Sequence, residues 1–194
     1  MAKKDSSALG ASDKSLLLQL ARSSIKSYLD GKPLSHPKIP DSLMAKQGAF
    51  VTLKIGGGLR GCIGHIHPVE PLYKAVIDNA VNAAFHDPRF PPLSKEELKD
   101  IDIEVSVLSV PKPLPFKSPD DLLKKLRPDI DGVILKKGHA ASTFLPQVWD
   151  DLPDKLEFLQ HLSIKAGLPK DAWKESEIQV YQAEHFSESD ISPQ

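Results

Sequence analysis

The stretch "KIGGGLRGCIGHI" (residues 54–66) decides the fold, because it admits two incompatible readings. It packs five of the chain's 11 glycines and its only cysteine into thirteen positions. As Gly56–x–Gly58–x–x–Gly61 behind a strand-like "GAFVTLKI" (48–55), it imitates a dinucleotide fingerprint, with Asp78 20 residues past Gly58. That chemistry requires a helix to begin inside the motif, so that its first amides meet a pyrophosphate. Here the chain runs on as "CIGHIHPVEP", β-branched and proline-interrupted, and Asp78 falls inside a later helix. The stretch is therefore a hairpin. "GGG" (56–58) supplies the positive φ angles of a turn between strands 49–55 and 59–66. The turn does not use Gly61 and Gly64, and glycine inside a strand marks a bulge or a close approach of a ligand or another backbone.

Outward from the hairpin the periodicities are mixed. "KSLLLQLARSSIKSYLD" (14–30) has helical spacing, with Ser12 or Asp13 to cap it and Gly31 to stop it. "EPLYKAVIDNAVNAAF" (70–85) is a second helix with Pro71 in its first turn. "SKEEL" (94–98) carries a serine cap with Glu97 three residues on, which predicts a helical turn. "IDIEVSVLSV" (101–110) sets Ile101, Ile103, Val105 and Val107 on one face and Asp102, Glu104, Ser106 and Leu108 on the other. After the proline-rich "PKPLPFKSPDDL" (111–122) come a short helix, a hairpin turning at Lys137–Gly138, and an amphipathic helix at 153–168. A final strand is expected at 177–186.

Strands and helices without a βαβ rhythm argue for an α+β fold with mostly antiparallel sheet in two lobes. The expected divisions are a flexible tail at 1–12, a larger lobe at 13–110 plus 176–186, a smaller α/β lobe at 111–175, and a polar tail at 187–194. The chain is 194 residues long and 40% hydrophobic, enough for one sizeable core or two small ones. A net charge of −1 offers no basic field to a nucleic acid, which makes that partner an unfavoured one. The single cysteine excludes an intrachain disulfide, and no apolar run approaches the roughly 20 residues that span a bilayer. A cytoplasmic protein without a membrane segment is expected.

Cys62 carries the candidate chemistry. In an extended strand Arg60, Cys62 and Gly64 share a face, and a guanidinium beside a thiol favours the thiolate, the reactive form. Small neighbours leave the sulfur accessible, although a lone cysteine also serves as a small buried hydrophobe. Cys62–x–x–His65–x–His67 has metal-like spacing, but strand alternation sends the sulfur and the imidazoles to opposite sides. No second cysteine or acidic cluster completes the set, so neither a metal nor a cofactor is expected. A base for the thiol must come from elsewhere, and His86 and His139 are candidates. "HDPRFPP" (86–92) places Asp87 and Arg89 in a stiff loop, as a brace or as a binding pair.

Taken in order, "LRGCIG" (59–64), "DPRFPPL" (87–93), "IEVSVLS" (103–109), "DGVIL" (131–135) and "FLPQVW" (144–149) resemble the AMMECR family. Its bacterial and archaeal members are called AmmeMemoRadiSam system protein A. The resemblance spans residues 13–186 and implies a two-lobed α+β fold, with the larger lobe built from both chain ends. It implies signature residues around a cleft: Leu59, Arg60, Gly61, Cys62, Ile63 and Gly64, then Asp87, Arg89 and Phe90, then Glu104 and Ser106, with Pro146 and Gln147 from the last block. His65 stands where many relatives have a small hydroxyl residue. The family name associates it with a Memo-like protein and a radical SAM enzyme, expected as partners. Two functions are therefore expected as rivals. One is a cysteine-dependent enzyme or enzyme accessory, with Cys62 as nucleophile, Arg60 holding the thiolate, Glu104 or His86 moving protons, and Gly61, Gly64, Asp87, Arg89, Ser106 and Gln147 in binding roles. The other is a non-catalytic module that docks a protein or nucleic acid.

Overall fold

The computed structural model describes residues 9–191. The chain is α+β and forms two compact units, one from residues up to Leu108 together with those from Glu184, the other from Ser109–Ala183.

The first unit opens with α1 (Ala11–Asp30), which starts after Gly10 without a side-chain cap and ends at Gly31 with φ 63°. The expected cap residues Ser12 and Asp13 lie inside the helix, so the expected tail at 1–12 is helical from Ala11; residues 1–8 fall outside the described part. The hairpin pairs β1 (Gly48–Ile55) with β2 (Gly58–His65) in antiparallel register. Only Gly56 and Gly57 take positive φ, 57° and 80°, because a two-residue turn needs no third glycine. Next come α2 (Leu72–Phe85) and β3 (Ile101–Leu108), which pairs with the other side of β1.

The first sheet runs β2-β1-β3-β8, with β8 (Ala183–Ser187) supplied by the chain's far end. Its strands alternate as the sequence dictates. Ala49, Val51 and Leu53 with Ile103 and Val105 are fully buried against Leu17, Ala21 and Ile25 of α1 and Leu72, Ala75, Val76 and Ala80 of α2. Each valine, leucine or isoleucine side chain among them contributes about 1.5–3 kcal/mol by leaving water. The opposite face of the sheet carries Phe50, Thr52 and Lys54 from β1 beside Asp102, Glu104 and Ser106 from β3.

The second unit holds β4 (Lys112–Pro113), α3 (Pro119–Lys125), β5 (Gly132–Lys137), β6 (Ala140–Phe144), α4 (Val148–Asp151), α5 (Lys155–Lys165) and β7 (Glu177–Tyr181). Its sheet runs β4-β7-β5-β6 over a core of Leu122, Val133, Leu135, Trp149, Phe158, Leu159, Leu162 and Trp173. Trp149 stacks on Phe158 with ring centroids 3.6 Å apart. At the unit's two ends, the Ser109 amide donates to the Gln182 carbonyl and the Gln182 amide donates to the Ser109 hydroxyl, both at 2.9 Å.

Two expectations need correction. The stretch 177–186 is two strands in different sheets: β7 pairs with β4 and β5, whereas β8 lies beside β3. The break falls at Gln182, whose backbone is held by Ser109 in place of a ladder. Residues 187–191 are also no loose tail. They form the end of β8 and a short helix, α6 (Glu188–Ile191), and the Glu188 carboxylate accepts from the Arg22 guanidinium and from the Ile103 amide. Residues 192–194 lie outside the described part.

Candidate functional site

A bulge in β2 determines where Cys62 points. Ile55 pairs with Gly58 and Lys54 with Leu59, but Leu53 then pairs with Gly61, leaving Arg60 as the extra residue. Without that insertion the turn's register would carry Cys62 opposite Val51, a core position. With it, Cys62 pairs with Thr52 on the polar face, since a one-residue slip exchanges the two faces of a strand. Thr52 in turn pairs with Glu104 across β3, so Cys62, Thr52 and Glu104 form one row across three strands.

Within that row the Thr52 hydroxyl donates to Cys62 Sγ at 3.3 Å, and the half-buried thiol has no disulfide partner. Glu104 accepts a hydrogen bond from Lys54 Nζ at 2.9 Å. Ser106 is buried on the same face, one pair further along and opposite Phe50. Thr52 and Lys54 did not stand out in the sequence; the alternation of β1 placed them on this face, but only the register joins Thr52 to the cysteine.

Arg60 does not face the thiol. Its Nε and Nη2 donate to the two Glu97 carboxylate oxygens at 2.8 and 3.0 Å, and its guanidinium carbon lies 5.9 Å from the Phe90 ring centroid. The bulge re-aims the side chain, and Glu97 neutralises its charge. The Glu97 carboxyl is held below its usual range by the Arg60 hydrogen bonds and by the Ser94 amide. The Glu97 amide in turn donates to Ser94 Oγ, completing the reciprocal cap that the spacing predicts. Arg60 Nη1 is buried and has no hydrogen-bond partner.

Asp87 and Arg89 meet the backbone of Cys62. Asp87 is 3% exposed; its Oδ2 accepts the Cys62 amide at 2.9 Å, while Arg89 Nη2 donates to the Cys62 carbonyl at 3.3 Å. The pair is closed on itself, with Arg89 Nε and Nη2 donating to the Asp87 oxygens at 2.9 and 2.7 Å. These bonds, the Arg89 guanidinium foremost, hold the Asp87 carboxyl far below the usual carboxylate range. The loop is thus a brace for the cysteine strand.

Both unexplained glycines are required by packing. A Cβ on Gly61 would stand 2.2 Å from the Ala83 carbonyl oxygen of α2, and one on Gly64 would stand 2.3 Å from the Phe50 ring. His86 is exposed at the end of α2, edge-on to the Tyr28 ring at 6.1 Å, and no described contact links it to Cys62. His139 is likewise not among the partners of the thiol; it lies in the turn of the second unit. Gln147 also belongs to the second unit, just ahead of α4, where its Oε1 is buried without a partner. His65 points to the other side of β2, its Nδ1 3.5 Å from Asn79 Nδ2. Among the described residues no three His, Cys, Asp or Glu side chains are placed to hold a metal, and no helix is long and apolar enough to cross a membrane.

Known proteins share this sequence and architecture. A Methanothermobacter thermautotrophicus protein is 46% identical over 177 residues, covering 89% of this chain and 92% of its own length. A Pyrococcus furiosus protein is 43% identical over 186 residues, covering 89% of this chain and 86% of its own. The crystal structure of an uncharacterised Pyrococcus horikoshii protein, 37% identical, superposes with a TM-score of 0.86 over 95% of this chain and 96% of that one. The sequence profile of the AMMECR1 family matches residues 18–186, from within α1 to within β8, and so takes in the cysteine strand, its brace and both sheets. This chain belongs to the AMMECR1 family.

Proposed function

We propose that the polar face of the first sheet is a cysteine-centred reactive site and that the chain is an enzyme, or an enzyme accessory, using Cys62 as its nucleophile. The observation that supports this reading most is the row Cys62–Thr52–Glu104, with the Thr52 hydroxyl donating to Sγ. A hydroxyl aimed at sulfur stabilises the thiolate, the form that attacks electrophiles. In this reading Glu104, the carboxylate in the same row, takes or returns a proton, and Lys54 beside it offers a cation to an anionic substrate group. Arg60, Asp87 and Arg89 hold the strand in this reading and do not touch substrate. A Memo-like protein and a radical SAM enzyme are the proposed partners, on the strength of the family resemblance, in the cytoplasm. The test is the alkylation rate of the sole thiol at neutral pH. A rate at least tenfold above free cysteine supports the reading, and a thiol silent until the protein unfolds overturns it.

One observation favours the rival, a module that docks a partner without chemistry. Arg60 is paired with Glu97, Arg89 with Asp87 and Lys54 with Glu104, which leaves no free charge among them to activate the thiol. If Cys62→Ser keeps every cellular function and partner, this second reading replaces the first.

A further inference from the structure

Among the described residues β2 is an edge strand, with β1 on one side and no strand on the other. Edge strands present unpaired amides and carbonyls to any extended chain nearby, and proteins block them deliberately. Residues directly opposed in an antiparallel ladder are either hydrogen-bonded to each other or turn those groups outward, with side chains closer together in the latter case. Cys62 is of the second kind toward β1. Its side chain touches Thr52, while its N–H and C=O are met from outside by Asp87 and Arg89.

We propose that the Asp87–Arg89 pair is a surrogate strand that closes the β2 edge against a second copy of this chain. The carboxylate takes the place of a neighbouring strand's carbonyl and the guanidinium that of its amide, at the middle of the strand. The ion pair between them fixes their spacing as a peptide unit would. Unguarded, two β2 edges could pair antiparallel about a two-fold axis at Cys62, each cysteine donating to and accepting from its copy. Such a hydrogen-bonded pair sets the Cα atoms about 5.5 Å apart, inside the roughly 4.4–6.8 Å that a disulfide spans, and the Cβ atoms need close by only about 1 Å for the sulfurs to bond. The guard thus also separates the chain's only thiol from its twin, and this holds whether or not that thiol is a nucleophile.

The test compares wild type with Arg89→Ala, whose side chain is 54% exposed and whose loss frees the Cys62 carbonyl and loosens the Asp87 carboxylate, and with Asp87→Asn. Diamide is the oxidant: two thiols lose two electrons and two protons to its N=N bond, leaving one disulfide and the hydrazine. Covalent dimer is expected to form at least tenfold faster in Arg89→Ala than in wild type, with the β2 amides protected from hydrogen exchange in the product. The thiol-free double variant Cys62→Ser, Arg89→Ala is expected to show a larger dimer fraction by sedimentation than Cys62→Ser alone. Equal cross-linking rates in wild type and Arg89→Ala overturn the proposal. A dimer whose β2 amides exchange freely does so too, since it would arise from unfolded chains. If Asp87→Asn fails to fold, Arg89→Ala alone decides.

Discussion

Thr52 and Cys62 meet across the hairpin, hydroxyl to sulfur at 3.3 Å, although ten residues and a bulge separate them in the chain. Thr52→Val keeps the shape and removes the donor. Loss of a hydrogen bond worth about 1 kcal/mol corresponds to about fivefold in rate. Cys62 alkylation at neutral pH is expected to slow by about that factor in Thr52→Val and to recover in Thr52→Ser. Competition against a free-thiol standard measures it.

The Arg60–Glu97 pair makes the first unit sensitive to acid. The folded Glu97 carboxyl lies below its ordinary value of 4.5, so the pair's contribution is complete above that pH and is lost as pH falls through the folded value. Asp87, depressed more strongly, acts in the same direction at lower pH. Glu97→Gln is expected to flatten the acid limb of stability below about pH 4.5 and to cost about 1–3 kcal/mol at neutral pH, since the Arg60 side chain is only 11% exposed. Urea melts from pH 3 to 7 show both effects.

Tyr181 predicts the opposite limb. Burial pushes its phenol up to about 12, although the Thr143 hydroxyl bond pulls the other way. The folded state therefore keeps its proton while the unfolded chain has already lost it, so stability falls as pH rises past 10 toward 12. The slope approaches about 1.4 kcal/mol per pH unit. Of the three tyrosines, one is expected to ionise late in an absorbance titration, and Tyr181→Phe removes that step.

Glu188 anchors the chain's end by accepting from Arg22 and from the Ile103 amide of β3. Ending the chain at Ser187 leaves the Ile103 amide unmet and Arg22 with only the Leu98 and Ile101 carbonyls. A loss of about 2–4 kcal/mol is expected, read as a lower urea midpoint with an unchanged slope.

Gly61→Ala is expected to destabilise by about 2–4 kcal/mol, because its methyl would enter the Ala83 carbonyl of α2 and neither backbone can yield cheaply. A Gly61→Ala protein as stable as wild type would mean that β2 does not lie this close to α2.

The α+β fold was legible wherever periodicity was strong. The alternation of 101–108 and the helical spacing of 14–30 each admit one reading, and the structure follows them. Residues 177–186 were misread because no glycine or proline interrupts them, and nothing local says that the hydrogen-bond partner changes at Gln182. The candidate site was legible only in part. The cysteine and its loop stood out by composition, but the orientation of Arg60 depends on a bulge, which is a matter of register. Thr52 and Glu97 owe their roles to pairings across ten and 37 residues, which only the folded chain reveals.

The double hydrogen bond between Ser109 and Gln182 makes residues 109–183 a cassette whose two ends are stapled together. A segment that enters and leaves at one point can lengthen, shorten or be exchanged without disturbing its host, because closing a short gap costs the host little entropy. A change of length between residues 109 and 182 is accordingly absorbed within the second unit, and the cysteine strand stays as it is.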